Sequence, residues 1–196
     1  AEVRWALVER MREGVELEKD QENIFIELKD LFSGEGKEGW TPLESPHKGV
    51  KMETKYHQQQ KGERSIALGR AEGVADCTAE DAIAWHFEYC SRVRTRMAKE
   101  VEKSPARFEI REDESKVNEK NFAEIKLLPF LLTNRELVFK FIWRNNLDGS
   151  ISVAGFSFNR KVDYGSNMGK LIKVDIKTLF TATNTEDARG VPQCHI

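Results

Sequence analysis

Residues 125–158 read I-K-L-L-P-F-L-L-T-N-R-E-L-V-F-K-F-I-W-R-N-N-L-D-G-S-I-S-V-A-G-F-S-F. An apolar run broken by Pro129 passes through Asn134-Arg135-Glu136 into a segment with Phe139, Phe141 and Trp143 at every second position. Side chains two apart on a strand share a face, so the three rings line one side of a sheet. Asp148-Gly149 has the chemistry of a hairpin turn, and Ile151 to Phe158 reads as the returning strand, which brings Phe156 and Phe158 across from the rings. A face this rich in large side chains needs a cover, either a helix or a ligand.

The same two-residue period recurs upstream. Val50, Met52, Thr54 and Tyr56 alternate with Lys51, Glu53, Lys55 and His57, as in a half-buried strand. The polar segment Gln58 to Glu63 reads as a hairpin turn, and Ser65 to Val74 as its return. That return puts Ile66, Leu68, Arg70 and Glu72 on one face and the small residues Ala67, Gly69, Ala71 and Gly73 on the other. Further strands are expected around Phe108 and Ile110, around Phe122 and Ile125, and over Leu171 to Thr183. A last strand begins near Val191 and pairs with Leu171 to Thr183 across the Asn184 to Gly190 turn.

Helical spacing appears in two places. Trp5, Val8, Met11 and Val15, then Ile24, Phe25, Leu28, Leu31 and Phe32, predict one or two amphipathic helices ahead of the glycines Gly34, Gly36 and Gly39. Thr78-Ala-Glu-Asp81 has the form of a capping box, and the stripe Ile83, Phe87, Cys90, Val93 and Met97 extends that helix to about Val101. The layout is α+β, a mostly antiparallel sheet covered by helices on one side, with residues 1–38 as an N-terminal helical segment and 39–196 as the main domain.

Composition excludes several functions. The 31 basic and 33 acidic residues leave a net charge of -2 and a pI of about 6.2, so no bulk attraction to nucleic acid is expected. Cys77, Cys90 and Cys194 are far apart in sequence and form no metal-binding pair, which fits a reduced cytoplasmic protein without a disulfide framework. No run approaches the roughly 18 apolar residues of a membrane span. There is no nucleophile elbow, zinc-protease, dinucleotide or phosphate-loop motif, and no cofactor or metal is expected. His47, His57, His86 and His195 lack evident ligand partners, and His86, one residue off the helical stripe, reads as structural or merely a surface residue.

Two segments carry a family resemblance. R-A-E-G-V-A-D-C-T-A-E-D-A over Arg70 to Ala82 is similar to the third strand and second-helix start of StAR-related lipid-transfer (START) domains. L-P-F-L-L-T-N-R-E-L-V over Leu128 to Val138 resembles the entry to their fifth strand, and the order of elements from Glu22 to Ile196 follows the same plan. The resemblance implies a helix-grip fold: a curved antiparallel sheet around a long C-terminal helix, with one lipid or sterol held between them. Two features depart from it. Arg96-Met97-Ala98-Lys99 stands where the family shows Trp followed by Asp or Asn, and the closing helix is expected to be missing, so that the domain is incomplete at its C-terminus.

The resemblance also implies site residues. On periodicity alone Phe139, Phe141 and Trp143, with Phe156 and Phe158, read as core; as the inner face of a START sheet they line the lipid tunnel. Arg70 and Glu72, on one strand face, would hold a lipid head group or hydroxyl if they face the tunnel, and form a solvated surface pair if the strand twists outward. Arg135 would pin the turn before its strand. Arg92, Arg96, Lys99 and Lys103 recur on one helix face, either as solvated cations near a helix C-terminus or as a docking patch for an anionic membrane. The expected function is non-enzymatic binding of one sterol, phospholipid or other acyl lipid in an apolar cavity, in intracellular lipid transfer or sensing. The alternatives are an enzyme like the related polyketide cyclases and hydrolases, for which His57 is a poor base, and a regulatory or scaffold module.

Overall fold

The computed structural model describes residues 2–33, 39–57, 66–101, 104–111, 116–129, 132–165, 169–187 and 189–196. The turn expected over Gln58 to Glu63, the glycines Gly34 and Gly36, and Lys103 lie outside the described residues. The ring-bearing stretch forms β6 (Arg135–Asn145) and β7 (Ile151–Ser157), paired antiparallel with Phe141 opposite Gly155 and Trp143 opposite Val153. Gly149 takes a φ of 81° in their turn, where the Asp148 Oδ1 accepts from the Ser150 amide at 3.0 Å and from its hydroxyl at 2.6 Å. Ahead of β6, the Arg135 Nη1 donates to the Thr133 carbonyl at 2.5 Å, which pins the chain as it enters the strand.

The other strands are β1 (Thr41–Leu43), β2 (Val50–His57), β3 (Ile66–Ala75), β4 (Ala106–Ile110), β5 (Glu119–Lys126), β8 (Ile172–Lys173), β9 (Lys177–Glu186) and β10 (Pro192–His195). Among the described residues they form one sheet in the order β1-β2-β3-β10-β9-β7-β6-β5-β4, antiparallel throughout except for β8, which pairs parallel to β6. β10 pairs with β9 from Pro192 opposite Glu186 to His195 opposite Thr183, so β9 runs three residues further than its sequence pattern suggests. The short β1 and β8 carry no periodic signal of their own.

Helices cover both faces of this sheet, not one. The odd-numbered positions of β6 meet α3 (Ala79–Phe87) and α1 (Glu2–Glu13): Met11, Ile83 and Phe87 close over Phe139, Phe141 and Trp143. The even-numbered Ile142 meets Phe25 and Leu28 of α2 (Lys19–Ser33) on the opposite face. A strand buried on both sides reads as a nearly continuous apolar run, which is the pattern of Leu137 to Trp143. β2 departs from its expected phase as well: the side chain it buries is Glu53, whereas Tyr56 is 68% exposed.

The central helix is two helices. Thr78 caps α3, its Oγ1 accepting from the Asp81 amide at 3.2 Å, and the Asn184 Oδ1 of β9 takes the Ala79 amide at 2.6 Å. α3 ends at Phe87, and Ser91 then caps α4 (Arg92–Glu100) by accepting from the Arg94 amide. The Arg94 guanidinium bonds the carbonyls of Trp85 and His86 at 3.0 and 2.8 Å, satisfying acceptors that a helix end leaves open. The break turns α4 so that Val93 and Met97, expected in one buried stripe with Ile83 and Phe87, point outward.

Candidate functional site

The inner face, under α3, is aromatic with a charged corner. Phe139, Phe141 and Trp143 are 2, 4 and 0% exposed and so present no solvent-facing surface. Tyr89, in the link between α3 and α4, packs edge-on against Phe139 and Phe141 at 5.1 and 5.7 Å. Its hydroxyl donates to the Glu124 Oε2 at 2.5 Å, and the Arg107 Nη2 reaches the Glu124 Oε1 at 2.6 Å. Arg107 and Glu124 are both buried, and the guanidinium also stacks on the Tyr89 ring at 4.2 Å. Sequence reasoning missed this cluster. The signal available was phase: Glu124 lies two residues from the buried Phe122, on the same strand face.

His86 joins the same cluster. Its ring is stacked between Phe141 at 5.1 Å and Phe180 at 4.5 Å. Burial, with the nearby Arg94 cation, holds its pKa down at about 4, so the imidazole is neutral near pH 7. Neither its Nε2 nor the Trp143 Nε1 has a hydrogen-bond partner among the described residues.

Phe156 and Phe158 lie on the other face. The register sets Phe156 opposite Lys140, and directly opposed residues share a face, so Phe156 packs with Ile142, Ala154 and Leu28 under α2. The Phe158 amide bonds the Val138 carbonyl, and its ring lies 5.9 Å from the Lys140 Nζ. A one-residue difference in phase therefore puts Phe139, Phe141 and Trp143 in one core and Phe156 against the other.

Arg70 and Glu72 stand at an opening in the sheet. β10 meets β3 only at Ala75, Val74 and, through the Ile196 backbone bonds, Gly73. Between the first part of β3 and the first part of β9 lies a cleft of about 510 Å³ whose walls include Phe32, Trp40, Leu68, Arg70, Glu72 and Phe180. Arg70 does not pair with Glu72. Its Nε and Nη2 hold the Glu53 carboxylate at 2.6 and 2.5 Å, its guanidinium lies 4.3 Å from the Trp40 ring centroid, and this bonding keeps the Glu53 pKa below the usual carboxylate value. Five positions separate Arg70 from Ala75, an odd number, so Arg70 turns away from the face that carries Cys194 and the three rings. The small residues Ala67, Gly69, Ala71 and Gly73, on the opposite phase of the strand, border the cleft as well, where the sequence pattern left room for close packing.

A larger hollow of about 840 Å³ lies beside α2, but its polar floor is self-satisfied. There the Asn146 Nδ2 donates to the Ser150 and Ser152 hydroxyls, and Ser152 bonds the Thr181 hydroxyl at 2.9 Å. Arg92, Arg96 and Lys99 are exposed along α4, away from both hollows.

Several solved structures share this architecture. The chain superposes on human StAR-related lipid transfer protein 5 with a TM-score of 0.57 at 13% identity, over 90% of this chain and 78% of that one. The fold is that of the START domains. Human STARD10 matches the START-like sheet and helices with a TM-score of 0.55 at 17% identity, covering 94% of this chain and 68% of that one. A STAR-related lipid transfer protein fragment from Xanthomonas axonopodis gives 0.54 at 16% identity, over 81% and 80% of the two chains. No protein-family model matches the sequence, and no curated protein matches it. The START likeness is therefore one of fold. No described helix is long and apolar enough to cross a membrane.

Proposed function

We propose that this chain is a non-enzymatic lipid-binding module of the START type, holding one sterol, phospholipid or other acyl lipid in the cleft between β3 and β9. The observation that carries this reading is an opening of about 510 Å³ in the sheet of a START fold, with Leu68, Trp40 and Phe180 in its walls. That volume lies within the range of small-molecule sites, and apolar walls with few polar groups suit an acyl or sterol body. Arg70 supplies the polar end: its guanidinium, already held by Glu53, can hydrogen-bond a phosphate or hydroxyl while Trp40 fixes its plane. Phe139, Phe141 and Trp143 back the site as packed core and do not touch the ligand. The names of the similar structures support lipid transfer as the setting, in which Arg92, Arg96 and Lys99 face the donor or acceptor membrane. A cytoplasmic location rests on the three free cysteines.

Native mass spectrometry after incubation with cell lipids tests the reading: a single lipid should add to the chain. Ala71 is exposed and borders the cleft, so Ala71→Trp fills it without disturbing the core, and lipid occupancy should fall about tenfold or more. Wild-type protein without any bound lipid, or an Ala71→Trp variant that loads normally, would sink the assignment.

A further inference from the structure

The break between α3 and α4 leaves a row of apolar side chains in solvent. Val93, Met97 and Val101 follow one another at four-residue spacing and are 52, 43 and 73% exposed. At about 100° per residue they drift only some 40° from one to the next, so they form one stripe. Arg92 and Arg96 precede Val93 and Met97 by one position each, and Lys99 continues that side, so a cationic row runs along one flank of the apolar stripe. Ala98 is the buried residue of α4, which seats the helix by a narrow edge and leaves the opposite side free. Arg94, on the other flank, is held against the Trp85 and Tyr89 rings at 4.4 and 4.7 Å, and the exposed Trp85 extends the apolar surface.

Single exposed apolar residues are ordinary on protein surfaces. An aligned apolar row with cations along its border is the pattern of helices that lie in a membrane interface, where the apolar row enters the acyl boundary and the cations meet headgroup phosphates. Glu100 is the one acid within α4, against three cations on the bordering row, so the charge favours an anionic surface.

We propose that α4 is an interfacial helix that lays Val93, Met97 and Val101 into an anionic lipid bilayer, with Arg92, Arg96 and Lys99 on the headgroups. This deepens the membrane-facing part of the lipid-carrier reading and rests on it, but it needs no cargo in the cleft. Sedimentation of the full chain with phosphatidylcholine vesicles, with and without phosphatidylserine, tests it. The chain should bind the phosphatidylserine vesicles and bind phosphatidylcholine alone much more weakly. The triple variant Arg92→Gln, Arg96→Gln, Lys99→Gln should lose about a hundredfold in vesicle affinity, roughly fivefold for each cation. Val93→Ser, Met97→Ser, Val101→Ser should lose about tenfold or more although its charge is unchanged, and the residual binding should vanish in high salt. All six side chains are exposed, so both variants should keep the wild-type circular dichroism and melting temperature. Normal vesicle binding by the serine variant would overturn insertion, and binding unaffected in both variants would overturn the surface itself. A wild-type chain that carries one lipid in native mass spectrometry but sediments with no vesicle would overturn the α4 proposal and leave the carrier reading standing; the reverse pair of results would leave α4 standing and remove the carrier.

Discussion

Glu124 and Arg107 show how one residue's phase determines its energy. Both charges are withdrawn from water, and the 2.6 Å pair with the Tyr89 hydroxyl satisfies what burial strips away. Removing one partner leaves a buried charge alone, so Arg107→Ala should destabilise the fold by about 3–5 kcal/mol in urea titration, while the double replacement Arg107→Met, Glu124→Leu should recover most of that loss. His86 has the opposite character, being buried neutral. Its folded pKa of about 4 lies below the ordinary histidine value of 6.5, so between those values the unfolded chain binds a proton that the folded chain refuses. Its contribution is complete above pH 6.5, falls as the pH drops, and reaches a loss of about 3 kcal/mol near pH 4. Comparing the urea midpoints of wild type and His86→Phe from pH 7 to 4 should show a shallower fall in the variant; parallel curves would contradict the assignment.

At the scale of the element, the hairpin of β6 and β7 depends on a residue with no side chain. A Cβ at Gly155 would sit 2.7 Å from the Phe141 Cε1 and collide with the Thr178 hydroxyl, so the ring on one strand occupies the space the other leaves empty. Gly155→Ala should cost about 1–3 kcal/mol in equilibrium unfolding, and Phe141→Leu in the same chain should relieve part of it. The split of the central helix belongs here too. Thr78 signalled the start of α3 in the sequence, and Ser91 is an equally good cap for α4, but the apolar stripe ran across both and hid the break. What ends α3 is Tyr89 turning inward to Glu124 and Arg94 reaching back to two carbonyls, contacts that span elements and leave no periodic trace.

Across the whole molecule, two cores lie back to back through a shared sheet, and Cys194 marks how far the inner one reaches. Its sulfur, 4.0 Å from that of Cys77, is buried in the cluster of α1, α3 and β6, and burial pushes its thiol up to about 11, while that of Cys90 rises to about 12. In iodoacetamide labelling near pH 8, Cys90 and Cys194 should react far more slowly in the folded chain than in urea, their rates following global unfolding; fast labelling of Cys194 in buffer would show that β10 frays from the sheet. The sequence by itself determined the longer strands, the antiparallel hairpin of β6 and β7 and the likeness to START domains, because the two-residue alternation of Phe139, Phe141 and Trp143 and the Asp148-Gly149 turn are local patterns. Tertiary structure alone decided which face each ring joins, since a shift of one residue in register moves Phe156 to the opposite core. It also decided that Arg70 answers Glu53 rather than Glu72, and that Val93 and Met97 face solvent. Those outcomes depend on which distant segment packs against a face, and hydrophobic periodicity reports that a face is apolar without reporting what will cover it.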